Sequence, residues 1–391
     1  VKAGVFIYYK IVNNKRNFKG MLTAWVCFHV LIILTGIFFA GYVYIISDYS
    51  IITVALFIML EVTGTFLFYY LGSLVCKKKP AMFVLRIATV SACLFLSMVI
   101  FMQSEFGNLF LILGFVWGAV QGLHWCAMNI FISSALEKNK VLNFLVFSLV
   151  MASFIGVLFP YSIEFIIENM AGALFVVMLA GAGLLVSSFY IKAEVVGEHV
   201  GVSALNMSNY FKTLKNENNL RPAIILWIAF AFFSPMRILP AIMAVLIFIR
   251  HGAGMNLNAA NAVLSIVCLL IIVTYMGKKT NPKVRNTLYW TSCILPSIAC
   301  VVLFTYIGIF ESVGNWAVVF FSVCMILQHI IFAEGFAMRA NAIRFWSREE
   351  FLIENHLFFE SAFWAGRFVA CLILMVVGVF SSLAIALIAV A

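Results

Sequence analysis

Residues 232–240 read FFSPMRILP, an arginine between two prolines inside a long apolar run. A guanidinium stays charged at any working pH and presents a planar fork of donors, so Arg237 is suited to a carboxylate or a phosphate. It reads either as the contact for an anionic solute or as the partner of a glutamate of the chain itself. Pro235 and Pro240 free backbone carbonyls and bend the helix around it, which marks either a site built on a broken helix or a packing kink. A second set lies in GAVQGLHWCAMNIF, residues 118–131. Gln121, His124, Trp125, Met128 and Asn129 are spaced for one face of a helix, and a face so polar turns to a cavity or a neighbouring helix rather than to lipid. A third lies in EEFLIENHLFFESAFWAGRFV, residues 349–369. His356, Glu360, Trp364 and Arg367 again share a face, with Glu360 and Arg367 two turns, roughly 10 Å, apart. Glu61, in the middle of another apolar run, is the alternative partner for Arg367. Gln328 and His329 sit together in a further run, with Glu334 beyond them as a partner for a basic loop residue or a gating group. His29 is a lesser candidate in the first run.

Ionisable groups among apolar residues are costly, at least ~2.5–3.5 kcal/mol each at the centre of a bilayer, which makes every one a functional hypothesis. The competing reading is a buried interhelical bond that only holds the chain together. A carboxyl in a low dielectric can carry a proton, so Glu61 and Glu360 are the proton-coupling candidates.

The elements that must hold these groups follow from composition. The chain has 391 residues, 65% of them hydrophobic and 10% charged, against ~25% charged in a soluble domain. Forty phenylalanines cannot be hidden in one water-soluble core, so the class is an integral membrane protein. Apolar runs long enough to cross a bilayer as helices fall at 21–46, 51–76, 81–103, 108–135, 141–166, 171–192, 222–249, 256–276, 286–309, 316–338, 352–377 and 379–391, the last of them short. They are too long and uniform for barrel strands.

The basic residues test that count. Lys2, Lys10, Lys15, Arg16 and Lys19 precede the first span; Lys77, Lys78 and Lys79 follow the second; Lys138 and Lys140 follow the fourth. Lys192, Lys212, Lys215 and Arg221 follow the sixth; Lys278, Lys279, Lys283 and Arg285 the eighth; Arg339, Arg344 and Arg348 the tenth. These are 21 of the 25 basic residues, and all fall on one side of a twelve-span arrangement. The opposite loops contain only Arg250. The positive-inside rule then puts both termini in the cytoplasm, and the net charge of +10 needs no nucleic acid to explain it. No signal-peptide pattern occurs at residues 1–20, which read as a cytoplasmic segment. The nine cysteines form no CxxC pair, so neither zinc nor a disulfide framework is indicated. No GxxxxGK[ST] loop is present, which argues against ATP-driven transport by this chain.

The longest polar stretch, 193–221, divides the spans into two sets of six and reads as a cytoplasmic linker. LGSLVCKKKP (71–80) and MGKKTNPKVR (276–285) close the second and eighth spans in the same manner, a weak internal repeat of the kind duplicated transporters show. On these features nearly the whole chain resembles the major facilitator superfamily. That superfamily's second-to-third loop carries Gly, three residues, then Asp before a basic run. Here Gly72 is followed by Cys76 and then Lys77–Lys79, so the charge relay assigned to the aspartate has no counterpart at that position. Gly156 and Pro160 in SFIGVLFPYS loosely echo the Gly-Pro of antiporter members. Gln121, Gly122, Trp125, Asn129, Gly366 and Arg367 match a pattern recurring in poorly characterised bacterial members. The resemblance implies that the first, fourth, seventh and tenth spans line a central cavity, and that the second and eleventh meet between the halves.

The expectation is therefore an all-α membrane protein of twelve transmembrane helices in two pseudo-symmetric six-helix bundles, 21–192 and 222–391. Its function would be secondary active transport of a small or amphipathic anionic organic solute by alternating access, coupled to protons, with export favoured by the fifth-span echo. Arg237, Gln121, His124, Trp125, Asn129, Gln328 and His329 would contact the solute; Glu61, Glu360, Arg367 and Glu334 would couple protons or gate. No cofactor or metal is expected, only a proton gradient as energy source. The partners would be the solute and the lipid bilayer, with no nucleic acid, and the chain would act as a monomer in a bacterial cytoplasmic (inner) membrane. The alternatives are a flippase for a lipid-linked substrate, an importer of a small metabolite, and, from another class, a membrane enzyme or transporter-like sensor, for which no catalytic cluster is visible.

Overall fold

A computed structural model describes residues 15–48, 50–101, 106–135, 144, 170–191, 205–232, 234 and 351–390. The helices are α1 (Lys15–Ile46), α2 (Ile51–Cys76), α3 (Ala81–Phe101), α4 (Phe106–Ala135), α5 (Met170–Tyr190), α6 (Met207–Asn216), α7 (Leu220–Phe232) and α8 (Leu352–Val390). No strand occurs among the described residues. Stretches of α2, α3, α4 and α8 are long and apolar enough to cross a membrane.

Local chemistry sets the ends. Asp48 turns the chain out of α1 with a positive φ of 52°, a conformation short polar side chains tolerate. Ser50 then caps α2, its hydroxyl accepting from the Thr53 amide at 3.3 Å, which satisfies one of the orphan donors of the first turn. Asn206 caps α6 in the same way, accepting from the Asn209 amide at 2.9 Å. Asn218 ends that helix with φ 57°, as Asn often does in place of Gly.

The helices α2, α3, α4 and α5 lie within two residues of the expected spans. Three differences have physical reasons. First, α1 begins at Lys15 rather than at 21, because charged side chains mark where a helix leaves the apolar layer, not where it stops. Second, the 193–221 stretch, read as a linker, contains α6, a short amphipathic helix whose Tyr210 and Leu214 are buried four residues apart. So short a period does not stand out from a polar background. Third, the break expected near 378 is absent and α8 runs on to Val390. A single glycine costs only ~1 kcal/mol in a helix, and Gly378 has another task. A Cβ there would stand 2.7 Å from Ile52 of α2. The expected spans 141–166, 256–276, 286–309 and 316–338, and most of 222–249, lie outside the described residues.

Packing centres on α2. Its most extensive contact is with α4, and α8 lies along its other side. Helix α3 packs on α4 and α5, and α5 on α1. The core is aromatic, with Trp25, Phe28, Phe57, Tyr69 and Trp117 at 2% exposure or less. The outer faces of α3 and α5 are apolar too, with Leu94, Leu179, Val186 and Phe189 all above 60% exposed. A surface of that kind suits lipid, not water.

Candidate functional site

The seam between α2 and α4 is built from glycines. Gly114, Gly118 and Gly122 recur every four residues, so they form one stripe of α4. A Cβ on Gly118 would strike the Glu61 carbonyl and one on Gly122 the Thr65 carbonyl; at Gly114 it would stand 2.8 Å from the Phe57 ring. From the other side, a Cβ on Gly64 would strike the Phe115 carbonyl. Small residues let backbones touch where lipid gives no hydrophobic drive for association.

This close approach lets short polar side chains bridge the seam. Gln121 Nε2 donates to Glu61 Oε1 at 2.6 Å, and Asn129 Nδ2 donates to Tyr69 Oη at 3.2 Å. Both bonds join residues 60 apart, so the two helices run parallel and in register. Of the two destinations the sequence left open for this polar face, Gln121 and Asn129 take the neighbouring helix.

Helix α8 closes the third side and runs antiparallel to α2. Glu354 meets Lys77, Trp364 stacks on Phe66 with centroids 5.2 Å apart, and Gly378 meets Ile52. In the middle of that seam the Arg367 guanidinium lies near enough to Glu61 to act on it electrostatically. Glu61 thus has a bonded amide donor and a cation within electrostatic reach. Arg367 Nε and Trp364 Nε1 are buried and donate to no partner among the described residues. Glu360 is buried on the same helix.

His124 and Trp125 go elsewhere, into a box of rings with α1. His124 stacks on Phe28 with centroids 3.5 Å apart and planes 11° from parallel. His29 stacks on Trp25 at 3.3 Å, and its Nδ1 shares a hydrogen bond with the Trp25 carbonyl at 3.0 Å. Trp125 stands edge-on to Phe28, His29 and His124. Both ring nitrogens of His124 are buried without a hydrogen-bond partner among the described residues, a costly arrangement for a polar group.

At one end of the α2–α8 seam lies a cluster that sequence reasoning missed. Lys77 Nζ is 2.8 Å from Glu354 Oε1 and 2.9 Å from Oε2, with the two side chains 8% and 2% exposed. The Asn206 amide donates to the same carboxylate at 3.2 Å. One residue on, Tyr210 Oη donates to Asn355 Oδ1 at 2.9 Å. Burial, and then the Glu354 charge, push the Tyr210 hydroxyl above the ordinary tyrosine range, so it remains a donor. His356 Nε2 shares a hydrogen bond with Ser133 Oγ at 2.8 Å. On α7, Trp227 donates to Ser361, and just beyond it Ser234 donates to the Phe363 carbonyl. The N-terminal part of α8 is therefore tied to α2, α4, α6 and α7.

Lys77 counted in the sequence only as a loop charge, and its partner is 277 residues away, beyond any local pattern. The glycine stripe was missed as well, although its four-residue spacing in GFVWGAVQG is a signal that could have found it. Arg237, Gln328, His329 and Glu334 lie outside the described residues. Among the described residues no group of three His, Cys, Asp or Glu could hold a metal ion.

No protein-family model matches the sequence, and no curated protein matches it. Solved structures do. The human organic anion transporter MFSD10 (TETRAN) superposes with a TM-score of 0.61 at 11% identity, covering 95% of this chain and 94% of its own. A bacterial homologue of the iron transporter ferroportin, in an outward-facing state, gives 0.55 at 11% identity, covering 95% and 99%. FucP, the E. coli fucose:proton symporter, in an outward conformation gives 0.54 at 14%, covering 94% and 98%. These proteins handle unlike solutes; what they share with this chain is the fold of major facilitator superfamily transporters.

Proposed function

We propose that this chain, which carries that fold, is a secondary active transporter that moves a small or amphipathic organic anion by alternating access, coupled to protons. In this reading two bundles, 21–192 and 222–391, are joined by the 193–221 segment that contains α6, and the continuous helix α8 takes the place of the last two expected spans. The chain acts as a monomer in a bacterial cytoplasmic membrane, with its N-terminal segment in the cytoplasm. It is not an enzyme and needs no cofactor beyond the proton gradient.

The observation that carries the proposal is the grouping of Glu61, Gln121 and Arg367 within α2, α4 and α8. It puts a carboxyl, a neutral donor and a permanent cation inside segments that cross the membrane. A carboxyl whose cation sits across a seam that can part gains a way to take up and release a proton with the movement. The Lys77–Glu354 pair closes one end of the same seam and acts as the gate on that side. Its buried position makes it costly to leave half-broken, which favours two discrete arrangements over a continuum.

Arg237 provides the anion contact, Gln328 and His329 are further solute contacts, and Glu334 is a coupling or gating group. His124 and Trp125 line the first bundle's side, and the unpartnered His124 nitrogens become available to solute when the ring box opens. Glu360 is a second proton-carrying candidate. Export is the favoured direction, on the Gly156 and Pro160 echo. The MFSD10 likeness is compatible with an anionic solute and supplies no identity for it.

The test is a panel of metabolites screened for those that raise the unfolding temperature of the purified protein. Carboxylates or phosphates should dominate the hits, and Arg237→Gln should lose the effect while remaining folded. Hits confined to neutral or cationic compounds, or unchanged in Arg237→Gln, would contradict the assignment.

A further inference from the structure

One basic residue fits neither the loops nor the seam. Arg86 lies on α3, five residues past Ala81, about 7–8 Å along the helix axis. It is exposed, and its surroundings on that surface are apolar, with Phe83, Ile87, Val90 and Leu94 between 41% and 67% exposed. This is a lipid-facing strip with a guanidinium set into it. Lone arginines near the end of a span extend toward the interface along their flexible stems, and Arg86 reaches an aromatic ring at that end. Its guanidinium carbon sits 4.7 Å from the centroid of Phe189, at the end of α5, and that ring is itself 66% exposed. Cation–π attraction holds the group against the protein wall. The ring takes none of the N–H donors, and no carboxylate forms an ion pair with Arg86 among the described residues. The same end of the helices carries Lys78 and Lys79, both exposed on the turn that leads into α3.

We propose that the α3–α5 face at this end binds the phosphate of an anionic phospholipid. Arg86 is the direct ligand, Phe189 the platform that fixes it, and Lys78 and Lys79 supply supporting charge. The setting fits a lipid rather than a free anion: Arg86 is exposed, and Ile87, Val90 and Leu94 run on from it along α3 as an exposed apolar surface for acyl chains. A guanidinium with five donors and no carboxylate partner among the described residues is completed by phosphate oxygens.

The full chain in nanodiscs or detergent, examined by native mass spectrometry, tests this with phosphatidylglycerol and phosphatidylcholine of identical acyl chains. Wild type should retain phosphatidylglycerol selectively. Arg86→Gln should lower that selectivity about fivefold, as expected for one basic residue at a membrane surface. Phe189→Leu, which changes no charge, should lower it too, and a merely basic collar would not respond to that change. Should Arg86→Gln not fold, Phe189→Leu carries the test alone. Selectivity unchanged in Phe189→Leu, or phosphatidylglycerol displaced from wild type by inorganic phosphate, would overturn the proposal.

Discussion

Replacing Glu354 by Gln leaves Lys77 buried opposite a neutral amide. Both side chains are nearly inaccessible, at 8% for Lys77 and 2% for Glu354, and removing one partner of a buried pair costs about 3–5 kcal/mol. The lower end applies, because the lysine stem is flexible and retains some access to water. The cost falls only on the arrangement in which α2 and α8 meet at this end. At ~1.4 kcal/mol per factor of ten, about 3 kcal/mol shifts the balance toward the open arrangement roughly a hundredfold. The assay is a pulsed electron spin measurement between labels at Lys78 and Asn209, both exposed. Labels carried by genetically encoded residues avoid the native thiols. Wild type should give a narrow short distance, and Glu354→Gln a longer one. The double variant Lys77→Met/Glu354→Gln should sit nearer wild type, because no charge is then stranded. Distances that are the same in all three would refute the idea that this pair is a gate.

Glu61→Gln keeps a side-chain oxygen for Gln121 but leaves Arg367 without its charge. The protein should fold while solute flux loses its pH dependence, measured in vesicles against wild type. Gly118→Ala drives a methyl into the Glu61 carbonyl and should destabilise the protein by about 1–3 kcal/mol, as overpacking does, read from the unfolding midpoint in detergent. The same change at Gly72 is the comparison: a Cβ there would stand 3.2 Å from the Cys126 sulfur, a side chain that can give way, and the midpoint should move less. The Tyr210 hydroxyl binds its proton more tightly folded than unfolded, so its contribution is complete below the ordinary value of about 10 and is lost as pH rises beyond it. Hydrogen exchange of the α6 amides should therefore be flat from neutral pH to that point after correction for intrinsic rate, and protection should fall above it. Asn206→Ala removes the α6 cap and should weaken the helix by about 1 kcal/mol, seen as faster exchange at Asn209.

Much of the fold was legible because a bilayer enforces simple rules. The run 51–76 needed twenty or so apolar residues with a polar residue at each end, and α2 has those bounds. Glu61 and Arg367 stood out because charge is expensive where everything nearby is apolar, and the structure brings them within electrostatic reach. The polar face of α4 was visible, but not its division. Helical spacing says which residues share a face and not which neighbour each meets, so nothing separated Gln121 and Asn129, which bond across to α2, from His124 and Trp125, which stack on α1. Lys77 had an adequate local explanation as a topology signal, and nothing in its local sequence singled out Glu354. Their contact depends on the folding of the chain between them, a separation of 277 residues. Helix α6 was obscured for the opposite reason, since two buried side chains in ten residues do not make a period.

The central claim is coupled transport, and the most direct measurement is solute flux in proteoliposomes. For the organic anion that most raises the unfolding temperature, an imposed pH gradient should drive accumulation beyond equilibrium in wild type. Glu61→Gln should permit only downhill exchange, and Arg237→Gln no flux. A solute that binds tightly yet never crosses, or one that accumulates equally with and without the gradient, would contradict the account.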